Sequence, residues 1–390
     1  MVEPFQFSRL PLICFGAGKI ALLTGFIKKY GTGIILVTDP ESFISSPYAR
    51  ELFDSFVKHG ISYHHIVITG EPSPDTIDSA VRSFKDANID VVVSIGGGSV
   101  LDAGKAISAM MYKTEPVREY LEGTGTGEHP GTKIPFIALP TTSGTGSEAT
   151  KNAVISQIGK HGFKKSLRHD NFVPDIAIVD PELTLSCPAD ITAVSGMDCF
   201  TQLTESYLSD KAGRYTDALA LEGLKAIRSS LVNSYINGND IMARTGMSFA
   251  ALTSGICLAN AGLGVVHGFA SSIGGLFKIP HGIICGTLMA PANAIIVREL
   301  GKNRGNPAAR GKYVDLGRLF LETGGKSDDY YIDGFIRYLE ELTYEMQLPQ
   351  LGQFGIEEKD IEEICRLTEI KNNPVKLGPE ELEEIIRERL

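Results

Sequence analysis

Four side chains in the second half of the chain are of types that bind divalent cations. Asp198 and Gln202, in the segment Gly196-Met-Asp-Cys-Phe-Thr-Gln202, stand one helical turn apart and would project from one helix face. His267, in GVVHGF, and His281, in IPHG, each sit beside a glycine. An aspartate with two histidines is a credible divalent-metal set, and a glutamine oxygen can supply a fourth, weaker position. Taken singly, each histidine reads first as a hydrogen-bonded core residue. The other six histidines (His59, His64, His65, His129, His161 and His169) lie in the first half, most in polar surroundings that point to the surface.

A second chemistry belongs to glycine-rich turns. Val91-Val-Val-Ser-Ile95 runs into Gly96-Gly97-Gly98-Ser99 and then into Asp102 and Lys105. A strand that feeds three glycines and then a helix leaves backbone N–H groups free at the helix start. There the dipole favours a phosphate, and missing Cβ atoms let it approach. An earlier turn, Gly16-Ala17-Gly18 with Ala21, fits the relaxed dinucleotide fingerprint and stays open as the alternative pyrophosphate loop. Asp39 closes the run Ile34-Ile-Leu-Val-Thr38, where a carboxylate would accept hydrogen bonds from a ribose 2′-hydroxyl and repel a 2′-phosphate; it could equally be a turn residue before Pro40. Pro140-Thr-Thr-Ser-Gly-Thr-Gly-Ser-Glu148 is dense enough in hydroxyls and glycines to line a cofactor or phosphate site.

These residues need elements to hold them. PLICF, IILVTD, YHHIVIT, DVVVSI, PFIALP and IAIVD each read as a buried strand, and SPYARELFDSFVKHG and SPDTIDSAVRSFKDAN as amphipathic helices between them. Such alternation predicts a mainly parallel sheet covered on both faces. Thirteen of the 19 prolines lie at or before Pro188 and none follows until Pro280, so the second half reads as packed helices. The expectation is an α/β dinucleotide-binding domain over 1–185 with a mainly parallel sheet, an all-α domain over 186–390, and a ligand in the cleft between them. The charged tail from Ile356 reads as solvated surface helix.

Composition narrows the partners. With 390 residues, 43% apolar and 22% charged, the chain has the makeup of an ordinary globular protein. A formal charge of −10 argues against nucleic acid and anionic membranes. The six cysteines show no regular spacing, which fits reduced thiols in a cytoplasm. The opening MVEPFQFSRLP lacks the pattern of a signal peptide, and the apolar stretches are expected to be interrupted before the ~20 residues of a membrane span. A homodimer is the default expectation.

Together GGGSVLDAGK (96–105), PTTSGTGSE (140–148), PDIAIVDPELTLSCP (174–188), GMDCFTQ (196–202), and GVVHGF with IPHG (264–282) resemble the iron-containing (group III) alcohol dehydrogenases over nearly the whole chain. The resemblance implies NAD(P)-dependent interconversion of alcohols with aldehydes or ketones, NAD being favoured over NADP, with iron or zinc as a Lewis acid. It places Gly97, Gly98 and Ser99 at the pyrophosphate, Asp39 at the adenosine ribose, and Thr141 and Thr142 along the adenine and ribose side. Asp102, Asn152 and Lys164 fall near the nicotinamide, with Lys165 an alternative to Lys164. The implied metal ligands are Asp198, His267 and His281, and the implied catalytic groups are Asp102, His267 and His281.

Two positions depart from the family pattern. Gln202 stands where a second-ligand histidine is usual, and Ser271 where a histidine near the substrate is usual. A metal-independent reductase of unsaturated oxo acids, resembling maleylacetate reductase, is the alternative reading. A dehydroquinate synthase-type lyase-cyclase would need more lysine and histidine than the helical half holds. A non-catalytic NAD sensor would have no use for the Asp and His set.

Overall fold

The computed structural model describes residues 4–302, 306–321 and 323–390. Six strands form one sheet: β1 (Leu12–Phe15), β2 (Gly33–Thr38), β3 (Ser62–Val67), β4 (Val91–Gly96), β5 (Phe136–Pro140) and β8 (Ile176–Val179), in the order β1-β8-β5-β4-β2-β3. Every pairing in it is parallel. All six runs singled out in the sequence are these strands. The four inner strands β2, β4, β5 and β8 are buried on both faces as expected, and alternate residues of one strand feed two cores. Of the two edge strands, β1 is only half-buried and β3 largely exposed, contrary to the expectation of burial. Ile34 and Leu36 of β2 meet Leu23 and Ile27 of α1 (Leu23–Ile27) and Leu52 and Phe56 of α2 (Pro47–Lys58). Ile35 and Val37 pack with Ile77 and Val81 of α3 (Pro74–Phe84) and Leu101 of α4 (Gly98–Met110).

The chain leaves β2 toward α2 on one face, whereas β4, its neighbour, feeds α4 on the other. Adjacent strands whose exits diverge open a crevice at their carboxyl ends, where open α/β sheets bind ligands. Asp39 and the Gly96–Ser99 turn lie at that point, since Thr38 pairs in register with Ile95.

Two strands outside the sheet were not anticipated. β6 (Asn152–Gln157) and β7 (Phe163–Arg168) form an antiparallel hairpin, with Asn152 opposite Arg168 and Ser156 opposite Lys164. Interleaved with polar and basic residues and lacking a tight-turn dipeptide, they carry little strand signal.

After Val179 the described residues contain no further strand. The helices are α5 (Ala189–Leu208), α6 (Arg214–Ile236), α7 (Ile241–Ala261), α8 (Val265–Leu276), α9 (His281–Gly301), α10 (Pro307–Leu321), α11 (Asp328–Glu345), α12 (Ile361–Leu367) and α13 (Pro379–Arg387). One core runs through them, from Ala193 to Ile386. A smaller cluster, Ala149, Ala177, Val179, Leu252 and Ile256, joins the sheet to α7.

Two expectations need correction. α7 and α9 are long and apolar enough to cross a membrane by composition, because their glycines, serines and threonines barely lower the mean hydropathy; 67% of each apolar window is nevertheless buried inside the protein. The tail is not merely solvated: α13 buries Leu382, Ile385 and Ile386, and Glu369, Lys371 and Asn372 reach the cleft described next.

Candidate active site

A cleft of about 560 Å³ opens between the sheet half and the helices. Gly98, Ser99 and Asp102 of α4 line one part, and His267 and His281 another. α4 begins at Gly98 with no side chain capping its first turn, so its leading N–H groups are available to an anion. A Cβ on Gly98 would stand 2.7 Å from Thr145 Oγ1, so glycine is required for the turn to lie under the loop.

That loop, the Pro140–Glu148 segment, is anchored from both sides. The buried Lys105 ammonium donates to Ser147 O and Oγ, Thr150 Oγ1 and Asn152 O, at 2.8–3.0 Å. Burial pushes its pKa down to about 8. Asp102 accepts from Ser147 Oγ (2.5 Å) and Val154 N (3.0 Å). From the helical side, Gly146 (φ +62°) lies so close to Gly255 of α7 that a Cβ on Gly255 would stand 2.1 Å from Gly146 O. Glycine is needed at both positions.

Asp198 apart, the sequence-predicted residues divide into two groups. Gly98, Ser99, Asp102, Asn152, Lys164, Gln202, His267 and His281 all line the cleft. Asp39, Gly97, Thr141 and Thr142 gather behind it at the carboxyl end of the sheet. There Thr141 N donates to Gly96 O (3.0 Å), and the Thr141 and Ser42 hydroxyls are 3.3 Å apart. Asp39 accepts from Glu41 N (2.9 Å) and Ser42 N (2.5 Å), so it is a turn residue as well as an acid at the sheet edge. Lys164 is buried and paired with Glu71, which also accepts from Ser156 Oγ. Lys165, the alternative, also lines the cleft but pairs with Glu369 (3.3 Å).

The earlier glycine turn is closed. Gly18 N (3.2 Å) and Ile20 N (2.9 Å) donate to the two oxygens of Asp180, so a carboxylate of the chain itself occupies the anion position.

At the cleft floor, Asp198 of α5, His267 of α8 and His281 and Cys285 of α9 each present a donor atom, all within 4.8 Å of one another. Asp198 Oδ1 is 3.5 Å from His267 Nε2 and 3.7 Å from His281 Nε2. Asp198 Oδ1 is buried without a hydrogen-bond partner, a costly arrangement unless something else is bound there. Burial and Lys164 push the His281 pKa down to about 4. Burial alone would raise that of Asp198, but His281 and His267 bring it to about 2. An ionised carboxylate and a neutral imidazole are the forms a cation requires. Burial opposes a charge on His267, but Cys285, Asp198 and Glu205 raise its pKa well above the ordinary value; a metal ion would bring positive charge to the same place. The residues therefore fit a divalent metal.

Sequence reasoning missed two members of this cluster. Glu205 accepts from Val266 N (2.7 Å) and lies 2.6 Å from His267 Nδ1, which fixes the ring with Nε2 toward Asp198. Seven residues after Asp198 on the same helix face, it was discernible from spacing. Cys285 follows His281 by one turn but lies inside an apolar run.

A sequence family described as iron-containing alcohol dehydrogenase matches residues 11–181, and its C-terminal counterpart matches 192–390. The chain belongs to the iron-containing alcohol dehydrogenase family. This alcohol dehydrogenase is 32% identical over 363 residues to "Long-chain-alcohol dehydrogenase 1" of Geobacillus thermodenitrificans, covering 91% of this chain and 88% of that one. It is 30% identical over 362 residues to "NAD-dependent methanol dehydrogenase" of Bacillus methanolicus, covering 91% of each. The solved structure of a 1,3-propanediol oxidoreductase superposes with a TM-score of 0.88 at 26% identity over 100% of both chains. The family is one of oxidoreductases that interconvert alcohols and carbonyl compounds, and the enzyme is one of them.

Proposed function

We propose that this dehydrogenase uses NAD(H) rather than NADP(H), with the pyrophosphate on Gly97, Gly98 and Ser99 and the adenosine ribose toward Asp39, Thr141 and Thr142. Asp102, Asn152 and Lys164 then lie along the nicotinamide half. Asp198, His267 and His281 hold a divalent metal, iron or zinc, with Gln202 beside them. One observation carries the reading: an uncapped helix start on the sheet side and a buried carboxylate–imidazole cluster on the helical side face one cleft. When bound, the metal polarises the substrate oxygen as a Lewis acid and the nicotinamide gives or takes the hydride.

The chain's own contribution is positional. Glu205 orients His267. Asp102 and Lys105 hold the Ser147 loop against α4. Lys164, neutralised by Glu71, places a cation near His281 without adding net charge to the cleft. Ser271, which donates to His267 O (3.2 Å), lines the cleft where a proton could leave toward solvent. The unpartnered Asp198 oxygen weighs against a metal-free oxo-acid reductase.

The partner is a small alcohol or carbonyl compound rather than nucleic acid or membrane, in keeping with the charge of −10. A cytoplasmic homodimer fits six free thiols and the exposed Leu10 and Leu12, just before and at the start of edge strand β1. The test is NADH oxidation against aldehydes and oxo acids, with and without chelator, beside elemental analysis. Chelator-sensitive turnover of aldehydes is expected, and His267→Ala should remove bound metal and lower kcat by ~10³-fold. Undiminished turnover in that variant would defeat the Lewis-acid role.

A further inference from the structure

The family-like ligand set leaves one position unfilled, because Gln202 stands where a histidine is usual. Gln202 is buried, and its Nε2 donates to Thr145 O (3.0 Å) and to Ser254 Oγ (2.8 Å). A carbonyl oxygen only accepts, so Thr145 fixes which end of the amide is nitrogen. Its amide nitrogen is thereby tied to the Pro140–Glu148 loop and α7, so the residue helps to position that loop.

Cys285 occupies the cluster instead. It lies one turn after His281 on α9, and its Sγ is 3.7 Å from His281 Nε2 and 3.8 Å from His267 Nε2. Four tetrahedral donors about 2.0–2.1 Å (N, O) or 2.3 Å (S) from one ion stand roughly 3.3–3.6 Å apart. The separations of Asp198 Oδ1 and of Cys285 Sγ from the two imidazole Nε2 atoms, 3.5–3.8 Å, lie close to that spacing, and all four donor atoms fall within 4.8 Å of one another. The other five cysteines lie outside this cluster.

We propose that Cys285 Sγ is the fourth protein donor to the metal, so that the site is an Asp–His–His–Cys set that favours zinc over iron. The inference rests on the metal reading given above and specifies its ligands. Thiolate sulfur is a soft donor that suits zinc, and it widens the advantage over iron(II) that zinc already has at oxygen and imidazole donors. On binding, the Sγ–metal bond forms as the S–H bond breaks, and the proton passes to solvent. The fourth ligand has thus moved from α5, where the family keeps it, to α9, leaving Gln202 to serve the loop.

X-ray absorption at the zinc edge of the full-length, zinc-loaded protein tests this without reference to turnover. One sulfur at about 2.3 Å among nitrogen and oxygen neighbours at about 2.0–2.1 Å is expected. Cobalt substitution should give a thiolate-to-metal charge-transfer band in the near ultraviolet that Cys285→Ser lacks. In chelator competition, that variant should lose at least tenfold in the ratio of zinc to iron(II) affinity. Bound zinc with only nitrogen and oxygen neighbours in the wild-type protein overturns the Cys285 assignment and leaves the metallo-dehydrogenase standing. Protein that retains no zinc or iron after loading overturns both.

Discussion

Two glycine turns in this protein follow the same plan and end differently. After β1, Gly16-Ala17-Gly18 leads into a short 3₁₀ turn over Lys19–Leu22; after β4, Gly96-Gly97-Gly98 leads into α4. Both offer a strand, small residues and a helical start. In the first, Asp180 accepts from the N–H groups of Gly18 and Ile20 and fills the position a phosphate would take. In the second no side chain caps the helix, and the turn opens on the cleft. The glycines are common to both, so they do not make an anion site. What does is an unoccupied set of donors at the point where neighbouring strands send their helices to opposite faces.

The largest effect should come from filling the open turn. Gly98→Val puts a Cβ 2.7 Å from Thr145 Oγ1 and so displaces the loop or the turn. NADH affinity, read by coenzyme fluorescence, should fall by ~10²–10³-fold, about 3–4 kcal/mol. Wild-type affinity in this variant would mean that the coenzyme sits elsewhere. The closed turn should behave in the opposite way. Asp180→Ala leaves buried N–H groups without an acceptor, costing roughly 2–4 kcal/mol of stability, seen as a lower Tm, while the coenzyme Kd of the folded protein stays within about twofold. If that variant instead loses coenzyme binding and keeps its Tm, the roles of the two turns are reversed.

How far the sequence could reveal this follows the physics of each signal. The six sheet strands were legible because each is a short run rich in β-branched or other apolar residues, bounded by turn residues. The helical half was legible from the absence of proline between Pro188 and Pro280. The contrast between the glycine turns was not, because Asp180 is more than 150 residues from Gly18 in sequence and adjacent to it only in the sheet, where β8 pairs with β1. The same holds for the metal cluster. His267 and His281 drew attention as rare residues in an apolar half, whereas Cys285 has the look of a small core residue until the rotation of α9 is known. Gln202 stood out by its position, but its amide partners on a distant loop could not be read from spacing.

A carboxylate inside the loop that covers the open turn gives the next contrast. Glu148 is fully buried, one of its oxygens lacks a hydrogen-bond partner, and burial raises its pKa to about 7. A folded-state pKa above the unfolded value of about 4.3 contributes stability that is fully present below pH ~4.3 and is lost as pH rises through 7. The cost of ionising it in place is on the order of 3–4 kcal/mol. Glu148→Gln should therefore flatten the decline in Tm between pH 5 and pH 7.5 by a few degrees. An unchanged slope would assign that pH dependence to other groups.

The smallest expected effect separates two aspartates that otherwise look alike. Asp39, like Asp180, accepts N–H groups of its own loop, from Glu41 and Ser42. Unlike Asp180, it lies at the divergence of β2 and β4, beside the open turn. Its backbone contacts are those of any Asx turn, which asparagine also makes through its carbonyl oxygen. Its charge is what should repel a 2′-phosphate. Asp39→Asn keeps the turn and removes only the charge, so the two functions come apart in one substitution. The preference for NAD over NADP in kcat/KM should fall about tenfold, near 1.4 kcal/mol, with Tm little changed. A preserved preference would leave Asp39 as a turn residue alone and place coenzyme selection elsewhere on the sheet edge, with Ser42 and Thr141 the nearest hydroxyls.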